Sequence, residues 1–290
     1  MCYDVYMQTL REAISQAREG KYAIGHFNVS DSNQVNAVVA AAQVVGVPVI
    51  IGASEGERTF IGMDNLVALV RVAREHGKQV YLNADHTFTV EGVKAVIDAG
   101  YDAVIFDGSH LEMEENIEKT KEIVAYARAT GRDIIVEAEI GRIGTSSKLL
   151  DAPPADMDAN LTTTAEAMHF VSSTGVDLLA PAVGTMHGRL KGGGEPKIDL
   201  ARITAIRDAT NIPLVLHGGS GSSDADLGAV GPAGCAIVHI NTDIRIAYRK
   251  GIEEALAANA DEIAPYKFLA LGVAGVQAMT EKYLQLFSNK

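Results

Sequence analysis

Eight short apolar runs alternate with amphipathic stretches along the chain, and this alternation constrains the fold more than any other feature. The runs are Ala23–Asn28, Val47–Gly52, Gln79–Asn83, Ala103–Asp107, Ile134–Glu139, Asp177–Ala180, Pro213–His217 and Cys235–Asn241. Most are rich in Val, Ile and Leu, and they read as strands buried on both faces, the character of a parallel sheet. Helices are expected between them over Asp31–Val45, Asp64–His76, Thr89–Ala99, Glu114–Thr130, Thr163–Ser173, Asp199–Thr210, Ser223–Val230 and Ile244–Ala257. Several open on Ser, Thr or Asp and are followed by a glycine (Gly46, Gly77, Gly100, Gly131, Gly175), the residues that cap helix starts and stops. Val5–Glu19 reads as an extra helix before the first strand, and Asp261–Phe287 as a helical extension after the eighth unit. Eight β-then-α units in 290 residues predict an α/β fold: a single (β/α)8 TIM barrel over residues 1–290, with a doubly wound open sheet as the alternative. No Pro-, Gly- or Ser-rich linker divides the chain. The longest irregular stretch, Gly141–Asn160, follows the fifth strand and is expected to be a mobile lid.

A parallel barrel gathers the C-terminal ends of its strands at one mouth, so residues far apart in sequence meet there. Three histidines are expected at such ends: His86 in Leu82-Asn83-Ala84-Asp85-His86, His187 in Gly184-Thr185-Met186-His187-Gly188 and His217 in Leu214-Val215-Leu216-His217. Singly, each reads more readily as a hydrogen-bonded structural residue than as a ligand. Three together read as ligands of one divalent metal with a fourth position open for chemistry. Zn²⁺ suits three imidazoles best, and other first-row divalent ions are acceptable. Asp107 and Glu139 end neighbouring strands, where they either orient histidine N–H groups or offer the metal an alternative resting position. Asp85 is placed to move a substrate proton beside a Lewis acid, or to cap the helix that starts near Thr89.

Gly218-Gly219-Ser220-Gly221 and Asn241-Thr242-Asp243 follow the seventh and eighth strands, the recurring phosphate position of this fold. There, converging backbone N–H groups and a helix N-terminus favour an anion. No lysine ends a strand inside the barrel, since Lys78 precedes a strand and Lys191 and Lys197 lie in a loop. Carbon–carbon chemistry would therefore depend on a metal rather than on an iminium.

A net charge of −12 and a pI near 5.1 argue against nucleic acid or an anionic membrane as partner, although a local site can still bind a small anion. No apolar run approaches the ~20 residues of a membrane-spanning helix, and the first twenty residues lack a secretory pattern. Cys2 and Cys235 read as free thiols of a reducing compartment, so a cytoplasmic, soluble protein is expected.

Taken together, Asp85-His86, Asp107-Gly108-Ser109-His110, Glu137-Ala138-Glu139-Ile140-Gly141, Val183-Gly184-Thr185-Met186-His187-Gly188, Leu216-His217-Gly218-Gly219-Ser220-Gly221 and Asn241-Thr242-Asp243 resemble, in order, the motifs of the class II (metal-dependent) fructose-bisphosphate and tagatose-bisphosphate aldolases. The resemblance runs from about Ala23 to Tyr248. It implies zinc on His86, His187 and His217, Asp85 as proton donor to the C4 oxygen, and Asp107 and Glu139 at the metal's alternative position. It further implies substrate contacts from Asn28 and Ser54, and a dihydroxyacetone phosphate cradle from Gly188, Gly218, Gly219, Ser220, Asn241 and Thr242, with K⁺ or Na⁺ beside it.

The implied reaction is reversible cleavage of a ketose 1,6-bisphosphate, first of all fructose 1,6-bisphosphate, to dihydroxyacetone phosphate and glyceraldehyde 3-phosphate. Tagatose bisphosphate or another phosphorylated ketose is the alternative, and a homodimer or larger homo-oligomer is the implied assembly. Three departures stand out. Gly141-Arg142-Ile143-Gly144-Thr145-Ser146-Ser147-Lys148 has serines where the family carries an acidic pair, so either Asp151, Asp156 or Asp158 supplies the lid acid/base or that proton step is handled differently. His239 stands where an Asn commonly contacts substrate, and Arg189-Leu190 replaces the usual pair after His187-Gly188. The missing acids keep a non-catalytic sugar-phosphate-binding protein in view, and a zinc hydrolase on the same barrel is a third reading.

Overall fold

The computed structural model describes residues 7–144, 148–152, 161–193 and 196–288. Ten strands lie among them: β1 (Ile24–Asn28), β2 (Val49–Ala53), β3 (Val80–Thr87), β4 (Ala103–Phe106), β5 (Ile135–Ile140), β6 (Leu149–Leu150), β7 (Leu178–Pro181), β8 (Arg189–Leu190), β9 (Leu214–Leu216) and β10 (Cys235–Ile240). The helices are α1 (Leu10–Gly20), α2 (Ser32–Val45), α3 (Glu55–Ile61), α4 (Met63–Glu75), α5 (Val90–Ala99), α6 (Met113–Ala129), α7 (Thr164–Thr174), α8 (Leu200–Thr210), α9 (Asp224–Ala233), α10 (Thr242–Ala258), α11 (Pro265–Phe268) and α12 (Ala270–Ser288). Eight of the strands close into a parallel barrel in the order β1-β2-β3-β4-β5-β7-β9-β10, and β10 returns to β1. With helices between the strands this is the (β/α)8 TIM barrel, not the open sheet. The remaining two strands, β6 and β8, pair with each other above the barrel mouth.

The barrel interior is graded along its axis. Ile24, Ile50, Tyr81, Ala103, Ile135, Leu178, Val215 and Ile237 form an apolar floor, which Leu10, Ala13, Ile14 and Ala17 of α1 close from below. Burying Leu10 and Ile14 stabilises the plug by about 1.5–3 kcal/mol each. The helix starts at Leu10 rather than at Val5 because Thr9 and Glu12 make a reciprocal capping box (Thr9 N to Glu12 Oε2, 2.8 Å; Glu12 N to Thr9 Oγ1, 3.2 Å). Two residues further along the same strand faces, the inward positions become ionisable or amide-bearing: His26 and Asn28, Asn83 and Asp85, Glu137 and Glu139, His217, and His239. The outward positions, among them Phe27, Ile51, Leu82, Phe106, Val136, Leu179, Leu216 and Val238, pack against the helical layer. No helix among the described residues is long and apolar enough to cross a membrane.

Two further departures from the sequence expectation bear on the site. The stretch Ser54-Glu55-Gly56-Glu57, expected as loop, caps α3 through Ser54 N and Oγ, which both donate to Glu57 Oε2 at 2.8 Å. The third strand does not stop at Asn83 but runs to Thr87 through an irregularity. His86 is therefore the penultimate residue of the strand, still at its C-terminal end but inside it rather than beyond it. Cys235 opens β10 as a buried free thiol whose pKa burial raises to about 12, and Cys2 lies outside the described residues.

Candidate active site and metal centre

Adjacent residues of a regular strand point to opposite faces, yet Asp85 and His86 both line the same cleft. The irregularity in β3 explains this. The pairing of β3 with β4 shifts between Ala84 and Thr87, and His86 adopts φ 41°, a left-handed conformation that costs a non-glycine residue about 1–2 kcal/mol. Two contacts offset that cost. His86 Nδ1 donates to Asp107 Oδ2 at 2.8 Å, and Arg58 of α3 takes the Asp85 carbonyl at 3.0 Å and Thr87 Oγ1 at 2.9 Å. His187 and His217 arrive differently. His187 sits in the loop six residues beyond β7, where its N–H donates to Ile143 O at 3.0 Å and the β6–β8 pair begins two residues later. His217 directly follows β9.

One nitrogen from each of His86, His187 and His217 lies within 4.8 Å of the others. Their planes meet at 85°, 89° and 57°, so the three rings approach a common point from different directions. Each ring also has one nitrogen held by the protein: His86 by Asp107, His187 Nδ1 by the Gly144 carbonyl, and His217 Nε2 by Glu137 Oε1 at 2.8 Å. A carbonyl only accepts, so His187 carries its proton on Nδ1 and presents a bare Nε2. Such bonds fix the tautomer and aim the other nitrogen, as metal sites require. Buried His217 Nδ1 and both oxygens of buried Glu139 have no hydrogen-bond partner, although they lie 3.4 Å apart at nearest approach. Unpartnered lone-pair atoms this close together fit a divalent cation.

Other groups meet the distance but not the geometry. In His26, Asp85 and His239, the two rings lie face to face, with centroids 3.5 Å apart and planes 5° apart. Parallel rings direct their lone pairs side by side rather than at one ion. Glu137, His217 and His239 fail similarly, with a 22° stack. His86, Asp107 and Glu139 form a further group on the His86 Nδ1 side and share residues with the three-histidine centre.

The electrostatics split the histidines into two kinds. Burial holds His187 down at about 4 and His217 well below the ordinary range, so both are neutral, ligand-ready imidazoles. Burial also opposes charge on His86, but Asp85, Asp107 and Glu139 outweigh it and push this ring up to about 10. Asp85 in turn is held well below the usual carboxylate range, because His86 and then His239 outweigh its burial. Burial, reinforced by neighbouring carboxylates, raises Glu137 and Glu139 well above that range. His86 thus keeps a proton until the pH approaches 10, and a cation taken up on this ring would have to displace it. Metal binding near pH 7.5 is expected to release at least about one proton, and affinity is expected to climb with pH. Calorimetric titration in two buffers of different ionisation enthalpy checks this, and binding without proton release would contradict it.

Beside this centre lies a cleft of about 560 Å³ whose lining includes Ser54, Asp85, His86, Lys148, His187 and Asn241. A narrower recess continues inward past Asn28, Gly188, Gly218, Ser220, His239 and Thr242. The expected cradle residues therefore come together, except Gly219, whose N–H is spent on His239 O at 3.3 Å. Gly218 needs its φ of 66° and has no room for a side chain, since a Cβ would lie 2.5 Å from the Met186 carbonyl oxygen. Asn28 donates from Nδ2 to both Asp85 Oδ2 and Glu57 Oε2 at 2.8 Å, so it holds Asp85 as well as facing the recess. Asp151 does not line the cleft; it is exposed and pairs with Lys191 at 2.9 Å. Asp156 and Asp158 lie outside the described residues.

Several residues were not anticipated. Glu137 braces His217, Glu57 ties Asn28 to Arg245 at 2.6 Å, and His26 stacks on His239. Asp243, under the cradle, joins Arg189 at 2.7 Å, Gly221 N at 3.2 Å and the Tyr283 hydroxyl of α12. One signal was available: polar residues two apart near the end of an apolar strand mark one inward face.

A family profile described as "Fructose-bisphosphate aldolase class-II" matches residues 8–290. A fructose-bisphosphate aldolase of Geobacillus stearothermophilus is 35% identical over 274 residues, covering 93% of each chain. A 6-phospho-5-dehydro-2-deoxy-D-gluconate aldolase of Shouchella clausii is 36% identical over 278 residues, 94% of this chain and 92% of the relative. Among solved structures, the YdjI aldolase from Escherichia coli K12 superposes with a TM-score of 0.81 at 28% identity, covering 97% of each chain.

Proposed function

The chain belongs to the metal-dependent class II fructose-bisphosphate aldolase family and is an aldolase, and on that footing we propose that it reversibly cleaves a ketose 1,6-bisphosphate with zinc bound by His86, His187 and His217. Fructose 1,6-bisphosphate is the proposed substrate, and dihydroxyacetone phosphate and glyceraldehyde 3-phosphate are the products. The convergence of three differently oriented imidazoles beside an ionised, partly unpaired Asp85 carries this reading.

When bound, the metal supplies a Lewis acid that polarises the ketose carbonyl. Asp85 takes the C4 hydroxyl proton in cleavage and returns it in condensation. Asn28 holds Asp85 Oδ2, which leaves Oδ1 without a hydrogen-bond partner and available to a substrate hydroxyl. Gly188, Gly218, Ser220, Asn241 and Thr242 receive the phosphate of the dihydroxyacetone half, near the N-terminus of α10. K⁺ or Na⁺ beside that cradle, residence in the cytoplasm and assembly as a homodimer or larger oligomer belong to the same proposal. So does a lid over residues 141–160.

A second substrate class is supported by the Shouchella clausii relative, which at 36% identity is named for a phosphorylated keto acid rather than a ketose bisphosphate. The test is a screen of zinc-reconstituted protein against fructose and tagatose 1,6-bisphosphates, fructose 1-phosphate and 6-phospho-5-dehydro-2-deoxy-D-gluconate, following triose phosphate release. Fructose 1,6-bisphosphate is expected to give the highest kcat/KM, and a chelator is expected to abolish turnover. Failure to cleave either bisphosphate removes the substrate assignment.

A further inference from the structure

His26 is fully buried inside the barrel, and neither of its ring nitrogens has a hydrogen-bond partner. Leaving a buried polar atom unsatisfied costs about 1–3 kcal/mol, so an apolar side chain would be cheaper here. What the imidazole supplies is a flat face. It lies parallel to His239 with centroids 3.5 Å apart, and the opposite face of His239 rests on His217 at 4.1 Å. His239 is thus sandwiched between two rings. Its Nδ1 lies 3.4 Å from Oδ1 of Asp85, the oxygen that Asn28 does not hold. Room for His26 comes from Gly52 on β2, where a Cβ would sit 2.0 Å from His26 Cε1. The chain of contacts therefore runs Gly52, His26, His239, Asp85.

We infer that His26 is a positioning residue for the aldol proton transfer, acting through His239 to keep the free oxygen of Asp85 in place. The inference rests on the proposed role of Asp85. His26 does not line the cleft, so it works without touching substrate. Displacing a reacting group by as little as 1 Å can cost about a hundredfold in rate, which makes a ring that only limits rotation worth its burial.

The test uses zinc-loaded wild type, His26→Ala, Gly52→Ala and the double variant, assayed on whichever ketose phosphate the wild type cleaves. His26→Ala is expected to lower kcat about tenfold, with KM within about twofold and metal content unchanged. Gly52→Ala is expected to lower kcat at least as much by displacing the ring. In the double variant the new methyl occupies the vacated space, so its loss is expected to match His26→Ala alone rather than the product of the two. An unchanged kcat in His26→Ala, multiplying losses in the double variant, or kcat falling together with metal content would each overturn the inference. A crystal structure of zinc-loaded His26→Ala, or of the double variant if the single one does not fold, tests it without reference to activity. The His239 ring is expected to turn and its contact with Asp85 to open beyond 3.4 Å; an unmoved ring overturns the inference. If the wild type cleaves no ketose phosphate, the functional reading fails, and this structural comparison still decides the positioning claim.

Discussion

Replacing Asp85 with alanine is expected to lower kcat by about a hundredfold or more while the protein keeps its full complement of metal. The carboxylate is buried and ionised, with one oxygen on Asn28 and the other free beside His239. It lies 3.7 Å from His86 Nε2, close enough to share a substrate with a cation held by that ring. Asp85 is not among the three proposed ligands, so its removal withdraws proton transfer and leaves the three imidazoles in place. Metal analysis of the purified variant, with steady-state kinetics on the same sample, separates the two effects. A fully metal-loaded Asp85→Ala that retains turnover within about tenfold of wild type would remove this residue from the chemistry.

Replacing His217 with alanine is expected to abolish stoichiometric metal binding and to destabilise the chain even when both proteins are compared without metal. The ring is completely buried, bonded through Nε2 to Glu137, within 3.4 Å of Glu139 and stacked on His239. Its loss leaves Glu137 without a partner in the barrel interior and opens a cavity beside Glu139. Unsatisfied buried polar groups cost about 1–3 kcal/mol each, and the cavity adds to this. A loss of about 3 kcal/mol corresponds to a fall in Tm of roughly 6 °C in a chain of this size. Calorimetry on chelator-treated wild type and variant isolates that term from the metal's own contribution. Equal melting temperatures would show that the Glu137–His217 bond contributes nothing to the fold.

Much of the architecture is legible in the sequence itself. All eight barrel strands fall on the expected apolar runs, and α2, α5 and α8 begin within one residue of their expected starts because Asp31, Thr89 and Asp199 cap them. The short helix α3 was missed. Its Ser-x-x-Glu capping box lay in view at Ser54 and Glu57, but seven residues with a glycine near the start carry little periodicity. The end of β3 was also misplaced, because Asn83, Asp85 and His86 look like a turn in one dimension. Pairing with β4 and the bracing of Arg58 make them strand.

The site was legible in outline and not in its wiring. That His86, His187 and His217 meet could be anticipated because the strand ends of a parallel barrel, and the loops that follow them, share one mouth. Glu137, Glu57, His26 and Asp243 could not be assigned, since their partners lie 80, 29, 213 and 54 residues away along the chain.

The order of strands and helices, the apolar floor and the family motifs are thus properties of the linear chain, written in local patterns of two and 3.6 residues. Which nitrogen each histidine presents, which carboxylate braces it and which rings stack were decided only by closure of the barrel. Closure brings inward side chains from different strands to a common height, and the left-handed turn at His86 then sets which of its neighbours face the cleft. Those relations depend on the register between strands distant in sequence, and no local pattern encodes that register.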